Sequence, residues 1–189
     1  MLAHSVQLHL PDWLSQRLAD LPTKCETVEQ RMELAIELSR LNVEHKTGGP
    51  FGAAIFDLAN GELVGVGVNS VERCRASMAH AEVMAITMSQ ARLQNFDLSA
   101  DGRRLQLLSS AEPCAMCLAS IPWSGLAEVV CAARDTDVRA IGFDEGCKPG
   151  PWIETLQSSG VQASADLLRE RAVAVLQQYA SSGGSIYNP

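Results

Sequence analysis

The sequence predicts an α/β fold, a three-layer α/β/α sandwich built on a mixed β-sheet. Three observations lead there. Apolar runs of strand length alternate with segments of helical periodicity in the order helix, strand, strand, helix, strand, helix, strand. The first two strands are separated only by Ala59-Asn60-Gly61, and Asn-Gly between apolar runs is a strong hairpin signal, so they pair antiparallel. Helical segments separate the later strands, and such crossovers bring strands parallel while covering the sheet on both faces.

Taken in order, residues 1–25 form an N-terminal extension with a short helix from Pro11 to Leu21, residues 26–180 the main domain, and residues 181–189 a flexible tail. Thr27 followed three residues later by Gln30 makes a capping box. Behind it Val28, Met32, Ala35 and Ile36 recur at helical spacing until Lys46-Thr47-Gly48-Gly49-Pro50 breaks the pattern. Strands are expected over Phe51–Asp57 and Leu63–Asn69, then a helix from His80 to about Leu93, in which Val83, Met84 and Ile86 supply apolar contacts. A strand over Arg104–Ser109, a helix over Cys114–Ile121 and a strand over Glu128–Ala132 follow. Leu168, Ala172, Val175, Leu176 and Tyr179 mark a C-terminal amphipathic helix, and Ser181-Ser182-Gly183-Gly184-Ser185 has the composition of a flexible linker.

A chain of 189 residues can bury one sizeable core and suits one domain with terminal additions. No stretch reaches the apolar length of a membrane helix, and the start, with His4, His9 and Asp12 among short apolar patches, does not resemble a signal peptide. Six scattered cysteines suggest a reducing cytoplasm better than a disulfide framework. The net charge of −7, with 15 Lys and Arg spread along the chain, counts against a nucleic-acid partner, because phosphate binding needs a basic surface.

The chemistry is concentrated in His80-Ala81-Glu82 and, about thirty residues on, Pro113-Cys114-Ala115-Met116-Cys117. Catalytic zinc takes three protein ligands and leaves a fourth position for water. Cys114 and Cys117 are three apart, so one helical turn lets them hold a single ion. Pro113 suits the entry of that helix, and amides at a helix N-terminus favour thiolates. His80 offers a neutral imidazole nitrogen. Glu82 points elsewhere and is free to move protons from water to a ring nitrogen and then to a departing amine. A lone Cys-x-x-Cys also occurs in structural zinc sites and redox pairs, and Cys74, Cys131 and Cys147 are formal fourth ligands. Cys131, inside the apolar run Val129–Ala132, suits a small buried hydrophobe instead.

His-x-Glu followed by Pro-Cys-x-x-Cys is the signature of zinc-dependent nucleobase deaminases. Over residues 27–145 the chain resembles the cytidine deaminase-like superfamily, and within it the bacterial guanine deaminase branch. The branch resemblance rests on Gly48-Gly49-Pro50-Phe51-Gly52-Ala53, Val68-Asn69, Ala79-His80-Ala81-Glu82, Pro122-Trp123, and Asp135-Thr136-Asp137 leading to Gly142-Phe143-Asp144-Glu145. It implies zinc on His80, Cys114 and Cys117, catalysis by Glu82 and Glu145, and a substrate pocket including Ala81. Asn69 would hydrogen-bond the purine, an amide offering both donor and acceptor. Phe51 and Trp123 would form apolar walls, an aromatic–base stack being worth about 1–3 kcal/mol. Glu145 departs from the Asp usual at its position, with Asp144 as the alternative acid. Tyr187, in a tail that in relatives can close a partner's pocket, is a further substrate contact.

The resulting expectation is zinc-dependent hydrolysis of guanine to xanthine and ammonia by a homodimer acting on a small molecule, with neither nucleic acid nor membrane as partner. Deamination of an ammeline-type triazine, which shares the amino/oxo edge, and of adenosine in tRNA are the alternatives. A non-enzymatic zinc module is the rival from another class.

Overall fold

The computed structural model describes residues 2–188. Helix α1 (Asp12–Arg17) lies in the N-terminal extension, and α2 (Val28–Glu44) opens the main domain. Thr27 caps α2 through its side chain to the Gln30 amide, and Gln30 reaches back, so the capping box predicted from sequence is present. Strands β1 (Gly52–Asp57) and β2 (Leu63–Val68) form the expected antiparallel hairpin. After the single-turn helix α3 (Val71–Cys74) come α4 (Ala81–Leu93), β3 (Leu105–Ala111), α5 (Ala115–Trp123) and β4 (Glu128–Ala133). The chain ends with α6 (Asp135–Ala140), α7 (Trp152–Ser158), β5 (Gln162–Ser164) and α8 (Arg169–Ser181).

The sheet order is β2-β1-β3-β4-β5. β1 is antiparallel to β2 and β3, whereas β3, β4 and β5 run parallel, so the sheet is mixed as the helical crossovers required. Alternate residues of each strand serve opposite layers. Ala53, Ile55, Leu105, Leu107, Val129 and Cys131 pack with residues of α4, α5 and α7. Ala54, Phe56, Leu108, Val130 and Ala132 pack with residues of α2 and α8 on the other face. Leu10 and Leu14 of the extension join this second layer, which ties the α1 segment to the domain. Among the described residues no helix is long and apolar enough to cross a membrane.

Two glycines set how closely the helices dock. A Cβ on Gly67 of β2 would stand 2.2 Å from the Ala81 carbonyl oxygen and 2.4 Å from the Ala85 amide, and one on Gly52 of β1 would stand 2.4 Å from the Ala35 carbonyl oxygen. Backbone meets backbone at both places, so only glycine lets α4 and α2 lie this close to the hairpin.

Four elements had no clear sequence signal. α3 is one turn, α6 carries a largely charged run, α7 crosses from β4 to β5, and β5 is three residues of Gln-Ala-Ser at the sheet edge. The tail also departs from the flexible linker its composition suggested. The Gly184 amide donates to the Tyr179 carbonyl (3.1 Å), and Tyr179 Oη donates to the Ser185 carbonyl (2.6 Å). Beyond them Tyr187 and Asn188 fold back onto their own domain.

Candidate active site

The N-termini of α4 and α5 converge at the carboxyl end of β3. His80 is the N-cap of α4 (φ −72°, ψ 158°) and Cys114 the N-cap of α5 (φ −64°, ψ 171°). Cys114 is therefore extended and not within the helix, while Cys117 occupies the first turn. One donor atom from each of His80, Cys114 and Cys117 lies within 4.8 Å of the other two, the one such triad among the described residues. His80 Nδ1 is 3.5 Å from Cys114 Sγ. The hydrogen bond from Cys117 draws the Cys114 thiol down to about 4, despite burial, while the Cys117 thiol is pushed up by that same bond and by burial. The two sulfurs and the imidazole nitrogen thus stand together as a donor set suited to a soft cation.

Glu82 is buried in the first turn of α4, where Cys117 Sγ donates to its Oε2 at 3.5 Å. Burial, then the Cys114 charge, raises its carboxyl above the ordinary carboxylate range. Cys131, the formal fourth ligand, is fully buried on β4 among apolar neighbours. Two thiols and an imidazole suit zinc, and three such donors without a fourth leave the open position of a catalytic site.

Beside the triad is a small cavity lined by Phe51, Asn69, His80, Ala81, Glu82, Cys114, Phe143, Glu145, Tyr187 and Asn188, with Ala111 and Glu112 at the end of β3. Asn69 directly follows β2. Its Oδ1 accepts from the Gly49 amide (3.2 Å) and its Nδ2 donates to Tyr187 Oη (2.5 Å). Behind it runs a chain of hydrogen bonds. Trp13 Nε1 donates to Thr47 Oγ1 (2.9 Å), Thr47 Oγ1 donates to Asn42 Oδ1 (2.6 Å), and Asn42 Nδ2 donates to the carbonyls of Gly49 (2.9 Å) and Asn69 (3.0 Å).

The structure separates the two acids of the Asp144-Glu145 pair. Glu145 is buried in the cavity, where desolvation, with the charges of Cys114 and Glu82, pushes its carboxyl up to about 8. Its carbonyl accepts from the Ala115 amide at 3.0 Å, joining this loop to the entry of α5. Asp144 is exposed and paired with Arg139 at 2.8 Å, which holds its carboxyl below the ordinary value, so the alternative acid does not reach the cavity. Lys148 anchors the far side of the loop on Glu112 (2.9 Å) and Asp135 (3.2 Å).

Trp123 is a correction. It is 88 % exposed at the end of α5, outside the cavity, because Leu118 and Ile121 take the inward face of that helix. The aromatic wall is formed instead by Phe51 and Phe143, edge-on at 5.2 Å, and by Tyr187, 5.1 Å from Phe143. Phe143 stood in a recognised sequence motif without an assigned role. Glu112, Asn188 and the supporting Asn42 carried no local signal.

A fold that buries an acid beside an open three-donor metal site is that of a zinc-dependent hydrolase acting on amino groups. The chain belongs to the cytidine and deoxycytidylate deaminase family, whose zinc-binding region matches residues 25–133, and it is a hydrolytic deaminase. It is similar to guanine deaminase of Bacillus subtilis (strain 168), 36 % identical over 117 residues that cover 62 % of this chain and 71 % of that protein. The solved guanine deaminase from Nitrosomonas europaea is 41 % identical, covering 96 % of this chain and 99 % of its own, with a TM-score of 0.89. A structure in complex with 2,6-diaminopurine matches at 43 % identity over 97 % of both chains, with a TM-score of 0.90.

Proposed function

We propose that this protein deaminates guanine hydrolytically to xanthine and ammonia, using zinc held by His80, Cys114 and Cys117. The observation that carries the reading is the second buried acid, Glu145, in a small aromatic-walled cavity beside the metal triad. The relatives named guanine deaminase support the choice of base.

Zinc bound at the triad supplies Lewis acidity and makes hydroxide available from water near neutral pH. The residues of the chain do the rest. Glu82, its carboxyl raised by burial, takes one proton from water and gives it to the ring nitrogen, then takes the second from the added hydroxyl and gives it to the departing amine. Burial raises the Glu145 carboxyl to about 8, so it can exchange a proton with the base's amino/oxo edge, donating when protonated and accepting when ionised. Asn69 orients the ring, Phe51, Phe143 and Tyr187 stack on its faces, and Ala81 forms the floor. Tyr187 and Asn188 of the tail line the cavity, cover it and exclude water.

Ammonia release is the test, with zinc-loaded protein and a panel of guanine, ammeline, adenine, cytosine, cytidine and guanosine. Turnover of guanine well above the others is expected. Silence on guanine with activity on a pyrimidine or a nucleoside would discard the pocket assignment and keep the zinc chemistry. Ammeline shares the amino/oxo edge and is the second reading, while the charge of −7 disfavours tRNA.

Three broader features complete the reading. Met116 and Trp123 lie seven residues apart on α5 and are both exposed, giving an apolar strip suited to a homodimer interface. Trp123→Glu should then yield monomers in size-exclusion chromatography with light scattering, and a wild-type monomer would reject the dimer. A free purine product suits a role in purine breakdown. Six free cysteines suit a reducing cytoplasm.

A further inference from the structure

The amide of Asn188 is divided between two fates. Its Nδ2 donates to the Asp144 carbonyl at 2.8 Å, and the Asn188 carbonyl in turn accepts from the Asp144 amide at 2.9 Å. This two-way pairing fixes the orientation of the side chain, because a carbonyl oxygen can only accept. Oδ1 is therefore the free end. It is buried and has no donor among the described residues, a condition it shares there only with Arg73 Nε and Ser89 Oγ.

Of these three residues, Asn188 alone lines the active-site cavity. Of its polar neighbours there, Glu145 makes no side-chain hydrogen bond among the described residues and three others are already engaged. Asn69 is bonded at both ends, to Gly49 and Tyr187, Glu112 holds Lys148, and Glu82 accepts from Cys117. A buried acceptor without a donor carries a desolvation penalty that a partner would relieve, and natural structures rarely leave such an atom unused. A molecule that fills the cavity can supply the missing donor. Guanine carries N–H groups on both rings besides its amine, whereas Asn188 offers only an oxygen to meet one.

We infer that Asn188 Oδ1 accepts a ring N–H of the bound base, which makes the tail a specificity-determining part of the pocket as well as its cover. The choice of guanine as the base rests on the function proposed above. The tail then discriminates by hydrogen bonding. A base with a methyl group or a sugar on that nitrogen would lose the bond and leave the acceptor unpaired, a difference that shape alone does not provide.

The test pairs a protein change with ligand changes. Wild-type and Asn188→Ala proteins, zinc-loaded and full-length, are measured with guanine and with 1-methyl-, 7-methyl- and 9-methylguanine. Each methylated base is also measured as a competitive inhibitor of whichever panel compound turns over, so that it reports whether or not it reacts. Asn188→Ala should weaken guanine about tenfold in kcat/KM, the size expected for one buried hydrogen bond. That loss should vanish for one methylated base, where wild type and variant converge. An equal loss for all four bases would make Asn188 a cover only, and a loss below about twofold on guanine would remove the role altogether. If guanine is not turned over, the function reading fails while the inhibition constants still judge Asn188. Absence of binding by all four bases would overturn both.

Discussion

Replacing Glu82 by Gln removes one negative charge and almost no volume from a side chain that is 6 % exposed. The three metal donors are untouched, so zinc should remain at one ion per chain. Catalysis should not survive. In the proposed mechanism the carboxylate serves two transfers, to the ring nitrogen and to the amine, and positioned acid–base groups contribute about 10²–10⁴-fold. Even the loss of one efficient transfer gives a kcat lower by roughly 10³, or about 4 kcal/mol in the barrier. Stability should be unchanged or slightly higher, since a buried ionisable group beside a thiolate is replaced by a neutral amide that can donate to Cys117. Ammonia release, zinc content by mass spectrometry and a thermal melt on the same preparations separate these effects. Activity within tenfold of wild type would refute the proton-shuttle role. Zinc falling below half occupancy would show instead that Glu82 belongs to the metal's own ligand set.

Gly67→Ala would drive a Cβ into the Ala81 carbonyl and the Ala85 amide, so an overpacking penalty of about 3 kcal/mol and a melting temperature lower by roughly 5–10 °C are expected; an unchanged melt would contradict the close docking of α4. Deleting residues 183–189 removes one aromatic wall and the partner of Asn69, so kcat/KM for guanine should fall about ten- to hundredfold with zinc content intact. Unchanged kinetics would dismiss the cover. Arg169 grips Asp137 with two hydrogen bonds of 2.7 and 2.8 Å and holds its carboxyl below the ordinary value. A carboxyl lowered by folding stabilises above its unfolded pKa and ceases to as pH falls through the folded one. Arg169→Ala should therefore unfold at a higher pH than wild type in acid titrations, with the stability difference present at neutral pH and gone once both states are protonated. A difference that persists at pH 2 would mean that the pair acts by packing and not by charge.

The metal centre was legible because its chemistry demands particular residue types at spacings that a single helix turn or cap enforces. His80, Glu82, Cys114 and Cys117 needed no long-range information. The mixed sheet was equally visible, since the Asn60-Gly61 hairpin and the crossover helices fix strand direction locally. Trp123 could have been placed from the sequence. With Cys117, Leu118 and Ile121 facing inward on α5, helical geometry turns Trp123 to solvent. Only the family resemblance favoured Glu145 over Asp144, because a loop has no periodicity, and in the structure Arg139 takes Asp144. The tail was obscured for a different reason. Gly and Ser describe a chain that is free to move, but its end is held by contacts to Asn69 and Asp144, 118 and 44 residues away along the chain. The three residues of β5 are too few to show any pattern.

The hydrogen-bond chain from Trp13 through Thr47 and Asn42 to the backbone of Gly49 and Asn69 has a practical consequence for anyone who shortens this protein. The zinc-binding family region begins at residue 25, so a cut at that boundary would keep every side chain assigned to chemistry. It would also remove the indole that holds Thr47 and leave Asn42 to anchor the pocket rim without its outermost support. Trimmed and whole proteins would then differ in how firmly Asn69 is presented while sharing the same catalytic inventory. A minimal enzyme designed from this scaffold should begin ahead of Trp13.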